Sequence, residues 1–171
     1  PAMMRILHRG GDGTLDATLG PGGLAAALAD PTGLLWVDFL DEPREGSEPI
    51  LRDTFGFHPL AIDDAIAESH VPKVDDWDSY LYLVLHAVSL RPGEAEPLST
   101  RELDVFLGRN YLVTLHDQPL EAIDRVWSAC LRDERASGRG AARLLYHLVD
   151  EIVAGHMPLV DGIDERVEAL E

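Results

Sequence analysis

Residues 55–85, FGFHPLAIDDAIAESHVPKVDDWDSYLYLVL, gather six carboxylates, Asp63, Asp64, Glu68, Asp75, Asp76 and Asp78, around Lys73, the one lysine of the chain. Carboxylates are hard oxygen donors, the ligands Mg²⁺ takes while keeping several of its waters. The same residues also suit a solvated face: helical carboxylates near an N-terminus are favoured by the helix dipole with no metal at all. Lys73 beside acids would then be a surface contact worth about 0–1 kcal/mol. His147 with Asp150 or Glu151 has the i, i+3 or i, i+4 spacing that could hold a metal from one helix face, a pairing equally common on solvated helices. His58, His70, His86, His116 and His156 are spread over loops, strands and helices, where surface or packed polar roles are the default.

Other chemistry has little support. The Gly10-Gly11-Asp12-Gly13 turn lacks dinucleotide-binding spacing, no Lys-Ser/Thr phosphate loop occurs, and no Cys/His quartet has structural-zinc spacing. No nucleophile sits in a recognisable elbow. The chain does not read as an enzyme.

The elements that must position these residues follow from pattern. MMRILHRGGDGTLDATLG reads as two strands around a glycine turn, PGGLAAALADPTG as a short helix, and LLWVDFLD as an apolar strand. Ser47 is the expected N-cap of a helix through EPILRDT, with Gly56 closing it in the left-handed conformation. Pro59 suits the first position of the next helix, whose Ala61, Ile62, Ala65 and Ile66 share one face, leaving Asp63 and Asp64 on the other. YLYLVLHAVSL reads as a central strand led in by the polar segment around Lys73, RPGEAEPLST as a loop, and ELDVFLGRNYLVTLH as two strands joined at Gly108–Asn110. A helix capped by Asp117 then buries Ile123, Val126, Trp127, Cys130 and Leu131. Beyond the RASGRG break, about 140–171 is a long amphipathic segment that Pro158 should kink.

Length and composition bound the rest. A chain of 171 residues with 46% apolar content is expected to make one domain with a substantial core. Its 31 acidic against 14 basic residues give a net charge of −17, a field that repels nucleic acid and anionic lipid and concentrates cations. Cys130 is alone, which excludes an intrachain disulfide. No apolar run is long enough to cross a bilayer. Pro1 is no initiator and the final helix runs to Glu171 without a cap, so a longer native protein is expected.

The order of the motifs carries a resemblance. His58-Pro59-Leu60 with Asp63-Asp64, then Pro72-Lys73-Val74-Asp75, then Leu112-Val113-Thr114-Leu115-His116, then Leu144-Leu145-Tyr146-His147-Leu148-Val149-Asp150 resembles the N-terminal cytoplasmic domain of the CorA family of magnesium and cobalt transporters. The resemblance covers roughly residues 34–171. It implies an α/β fold with a mixed sheet between helical layers, an αβα sandwich, leading through a stalk helix to a membrane pore with a Gly-Met-Asn signature. It implies no enzyme activity, a homopentamer, a place at the cytoplasmic face of the cell membrane, and regulatory Mg²⁺ or Co²⁺ bound between subunits. Carried over by position, the metal residues are Asp63, Asp64 and Asp150; Asp63 stands where Glu is frequent in the family. A ZntB-like zinc transporter domain and a free-standing acidic interaction module are the alternatives.

Overall fold

The computed structural model describes residues 2–67, 71–90, 98–133 and 138–168. Glu68, His70 and residues 91–97 of the loop expected over 91–100 lie outside the described residues, and 98–100 are strand in place of loop because they pair with the end of the preceding strand. The strands are β1 (Met3–Arg9), β2 (Leu15–Asp16), β3 (Leu34–Leu40), β4 (Lys73–Asp76), β5 (Leu81–Leu90), β6 (Leu98–Leu107) and β7 (Tyr111–His116). They form one mixed sheet in the order β2-β1-β3-β7-β6-β5-β4, antiparallel at every pairing except β3 with β7. The two parallel strands are its centre, and both are buried along nearly their whole length, as a strand covered on both faces must be.

Helices cover the two faces. On one, α1 (Leu24–Leu28), α2 (Arg44–Pro49) with the wide turn Ile50–Thr54 after it, and α3 (Pro59–Ile66) pack Leu24, Leu51, Ala61 and Ile62 against Val37, Phe39, Phe106 and Val113. On the other, α4 (Glu121–Arg132) and α5 (Ala141–Glu168) pack Ile123, Trp127, Leu144 and Leu148 against Leu7, Trp36, Val105 and Leu112. The period-2 alternation of each strand divides its residues between these two cores. The architecture is the expected αβα sandwich.

Local expectations fare unevenly. Gly56 takes φ +71° and closes the turn after α2, as its position requires. Gly108 joins β6 to β7, and a Cβ there would stand 2.2 Å from the Tyr111 ring. Ser47 does not cap: the helix begins at Arg44 after Pro43, and Ser47 is buried inside it with its hydroxyl donating to the Pro43 carbonyl at 3.4 Å. Pro43, whose φ of −57° already suits the approach to a helix, takes the cap position instead. Asp117 does not cap either, because α4 starts only at Glu121, after Leu120. The segment around Lys73 is itself the edge strand β4, antiparallel to β5 through a turn in which Asp78 takes φ +62° and its N–H donates to Asp76. Helix α5 continues through Pro158. Cys130 is buried, which pushes its thiol up to about 11 and leaves it a small core side chain.

One polar cluster crosses the centre of the sheet on the α4 side. Arg5, Asp38 and Thr114 stand in register on β1, β3 and β7. Asp38 is fully buried; it accepts from Arg5 Nε at 2.8 Å and Thr114 Oγ1 at 2.5 Å, and His116 Nε2 lies 3.2 Å away. Trp36 Nε1 donates to Thr114 Oγ1, and the Arg5 guanidinium continues to Asp124 and lies 4.5 Å over the Trp127 ring. Burial alone would raise the Asp38 carboxyl, but the hydrogen bond and charge of His116, with Arg5 and Thr114, hold it below the ordinary carboxylate value. Burial would likewise lower His116, and Asp38 reverses that and raises it. The His116 contribution is therefore complete below the ordinary histidine value of 6.5 and fades as pH rises through its raised one. The Asp38 contribution is complete above 3.8 and is lost as pH falls through its lowered value. Asp38→Ala leaves Arg5 and His116 without their counter-charge and is expected to cost about 3–5 kcal/mol, most between pH 4 and 6.5, read from denaturant midpoints. A loss under about 1 kcal/mol would mean that the cluster does not hold the sheet.

Candidate functional site

Helix α3 is fixed before its acids are placed. Pro59 occupies the first helical position and the His58 ring nitrogen Nδ1 accepts the Leu60 N–H at 3.2 Å. The His58 N–H donates to the Tyr80 hydroxyl at 3.0 Å, and the imidazole stacks on Trp77 with ring centres 4.7 Å apart. The β4–β5 turn thus pins the N-terminus of α3 to the sheet edge, and Ala61, Ile62 and Ala65 turn inward. Asp63 and Asp64 consequently face outward, as the helical period requires.

Neither of the two is a bare carboxylate. Asp63, which is 53% exposed, pairs with Arg44 of α2. Asp64 accepts from Lys73 Nζ at 2.7 Å, and the same ammonium lies 2.8 Å from Asp75. These hydrogen bonds raise the Lys73 pKa, so it stays charged at every physiological pH. Lys73 therefore joins the two groups of acids, one from α3 and one from β4. Asp76 accepts from the backbone of its own turn.

Asp150 lies on α5, across the sheet from α3, exposed and beside Glu151 and His147 in a groove against α4. Sequence order does not bring it to Asp63 and Asp64, and the fold of one chain keeps them on opposite outer faces. Among the described residues no three His, Cys, Asp or Glu side chains converge closely enough to hold a metal ion. Asp63, Asp64 and Asp150 offer the oxygen ligands a magnesium-like ion prefers, but each face presents only part of a coordination shell.

A second polar region was not foreseen. A groove of about 700 Å³ opens at the carboxyl ends of β3 and β7, between Asp41, Glu42 and Asp117 on one side and His86, Glu102 and Asp104 on the other. Asp104 is 5% exposed and accepts from the Tyr82 hydroxyl at 2.5 Å. Burial pushes its carboxyl up to about 8, and the neighbouring charges of Glu102 and Asp64 add to the rise against the pull of Tyr82. The same surroundings raise the Tyr82 hydroxyl. Lys73 Nζ sits 5.2 Å over the Tyr82 ring, so Asp64, Lys73, Tyr82 and Asp104 form one continuous chain of polar contacts. The sequence signal for Asp104 was an acid at an inward position of ELDVFL.

The seven-stranded mixed sheet with helices packed on both faces defines an α/β sandwich domain. Comparison with known proteins makes this specific: the chain belongs to the family described as CorA-like Mg2+ transporter protein, whose profile matches residues 31–171. YfjQ of Bacillus subtilis, named as a metal ion transporter, is 34% identical over 136 residues, covering 80% of this chain and 41% of its own. The cobalt/magnesium transport protein CorA of Methanocaldococcus jannaschii is 25% identical over 140 residues, 81% of this chain and 43% of its own. The chain thus spans about two-fifths of the length of these relatives, both named for metal ion transport. The solved soluble domain of M. jannaschii CorA superposes with a TM-score of 0.70 at 20% identity, over 96% of this chain and 62% of that one. The ZntB cytoplasmic domain from Vibrio parahaemolyticus also gives 0.70, at 17% identity, over 98% of this chain and 65% of that one. Among the described residues no helix is long and apolar enough to cross a membrane.

The raised Asp104 pKa has a measurable consequence. Its neutral form is favoured in the folded chain, so its contribution to stability is complete below 3.8 and is lost as pH rises through about 8. Across that window the parent is expected to lose stability at up to about 1.4 kcal/mol per pH unit from this group. Asp104→Asn, which stays neutral, should flatten the profile in denaturant titrations at pH 4.5, 6 and 7.5. An unchanged slope in the variant would show that Asp104 ionises normally.

Proposed function

We propose that residues 1–171 form a single cytoplasmic regulatory domain of a CorA-like divalent cation transporter for Mg²⁺ or Co²⁺. In this reading α5 leads toward the stalk and pore, and the full-length protein is a homopentamer at the cytoplasmic face of the cell membrane. The observation that carries it is the family match across 31–171, joined to the placement of Asp63 and Asp64 on one outer face and Asp150 on the other. Neighbouring subunits around a ring present opposite faces to each other, so the α3 acids of one meet the α5 acid of the next.

The physics is that of a weak sensor. A Mg²⁺ ion that keeps several waters can sit between facing carboxylates without stripping its shell. Binding that bridges two subunits stabilises the bridged arrangement by mass action. Without the ion, two surfaces of a chain carrying a net charge of −17 repel, which frees the subunits to move. High internal Mg²⁺ then favours the closed pore. Lys73 and Arg44 already neutralise part of the α3 charge, which keeps the affinity low. The equal structural likeness to the ZntB domain supports a zinc transporter as the second reading; the regulatory arrangement is the same in both, and the transported ion differs.

In the full-length protein, Asp64→Ala/Asp150→Ala is expected to abolish the closure of the pore by internal Mg²⁺. Lys73→Met, which leaves Asp64 and Asp75 without their ammonium, should shift closure to several-fold lower Mg²⁺. Both are read from flux or current against internal Mg²⁺. A double variant that closes like the parent would remove these residues from the sensor.

A further inference from the structure

Helix α5 carries two apolar faces, and one domain uses only the first. Ala141, Leu144, Leu148 and Ile152 are buried in the core that α5 shares with the sheet and α4. Leu144 and Val153 are nine residues apart, two and a half helical turns, so Val153 points directly away from that core. From Val153 to Ile163 no residue is buried. On the outer side Tyr146, Val153, Met157 and Val160 are each more than half exposed, and the half-buried Val149 stands between them. At the helical period these five positions fall within about a quarter of the circumference. With Ile163, the four exposed ones make up five of the ten large apolar side chains exposed among the described residues, so the exposure is gathered on one helix and not scattered, the mark of an interaction surface.

The order of these positions says what covers them. Tyr146 and Val160 stand seven residues before and after Val153, and Val149 and Met157 four before and after. A seam that reads the same in both directions fits a second copy of itself laid antiparallel. In that pairing the two Val153 side chains meet on the axis, Tyr146 of one copy meets Val160 of the other, and Val149 meets Met157, the self-complementary contact of a two-fold dimer. The flanks obey the same symmetry. Arg143 and Asp161 are eighteen residues apart, five full turns, and so lie on one side of the seam at its opposite ends. Antiparallel pairing sets each guanidinium beside the other copy's carboxylate, whereas parallel pairing would set like charge on like. Arg143 already lies 4.5 Å over the Tyr146 ring, which holds it at the end of the seam. Leu145 and Ile163, also five turns apart, repeat the arrangement with apolar side chains on the other flank.

We infer that two copies of this chain associate through α5, antiparallel about Val153. The contact uses one face twice, whereas subunits around a ring meet through two different faces. It therefore joins chains that are not neighbours in one ring, and it stands apart from the cation reading. The net charge of −17 on each copy opposes association and outweighs two exposed ion pairs, so the dimer should strengthen as salt rises. The test is sedimentation of the 171-residue chain from micromolar to millimolar concentration, with a chelator present to remove bridging metal. The parent should show a monomer–dimer equilibrium. Val153→Asp, which sets two carboxylates on the axis, should weaken it at least tenfold with an unchanged circular dichroism spectrum. Val71→Asp, which adds the same charge at an exposed position elsewhere, should not. Arg143→Asp should also weaken the dimer and Arg143→Asp/Asp161→Arg restore it, an exchange that helps only in the antiparallel register. Under mild oxidation Val153→Cys should give a covalent dimer and Tyr146→Cys should not. A parent that stays monomeric at millimolar concentration would overturn the inference and leave the seam to another segment or another protein. A dimer indifferent to Val153→Asp, or not restored by the charge exchange, would overturn it as well.

Discussion

Asp38 is the constraint around which the rest of the sandwich is arranged. A carboxylate at the middle of a buried parallel strand costs several kcal/mol unless every lone pair is met, and here β1 and β7 contribute the partners. Arg5, Thr114 and His116 reach it only if β1, β3 and β7 adopt the observed register. A one-residue slip would turn Asp38 to the opposite face, away from Arg5, Thr114 and His116. Arg5 carries the constraint outward, because the guanidinium that neutralises Asp38 also meets Asp124 and covers Trp127, and so seats α4. α5 then packs on α4 and the sheet, with Leu144 and Leu148 in the same core as Trp127. The position of Asp150 thus depends indirectly on the centre of the sheet.

The other face is organised by aromatic rings in place of charge. Phe57 stacks on Phe106 and meets Tyr80 and Tyr111, and Tyr80 takes the His58 N–H at the start of α3. This is how the His58-Pro59-Leu60 motif acts: it fixes where α3 begins, and hence which way Asp63 and Asp64 point. Lys73 on the edge strand then meets Asp64 and Asp75 and lies above Tyr82, whose hydroxyl donates to the buried Asp104. The outer acids and the interior acid are therefore coupled through one lysine and one tyrosine.

Much of this was legible in the sequence where local rules and packing agree. The strands LLWVDFL and YLVTLH, the α3 face and the α4 stripe follow from apolar periodicity, except that Leu131, at the edge of that stripe near the helix end, is 47% exposed where burial is expected; Gly56 follows from the left-handed backbone its turn needs. The caps proposed at Ser47 and Asp117 failed because a preceding Pro43 and an intervening Pro119-Leu120 set the helix starts, and hydroxyl or carboxylate preference is a weak signal beside them. The edge strand β4 was hidden by its four residues and high charge. Asp63, Asp64 and Asp150 are singled out as ligands only through resemblance, since spacing does not tell a solvated acid from a ligand. The Asp38 and Asp104 environments depend on partners from 22 to 78 residues away, and no local pattern reports such partners.

The most direct measurement of the central claim is anomalous diffraction from the full-length protein crystallised with Co²⁺ or Mn²⁺. The account predicts a metal peak between subunits, bounded by Asp63 or Asp64 of one chain and Asp150 of its neighbour. A regulatory-domain peak held within one chain, or an ordered subunit boundary with metal elsewhere in the domain and none between these residues, would contradict it.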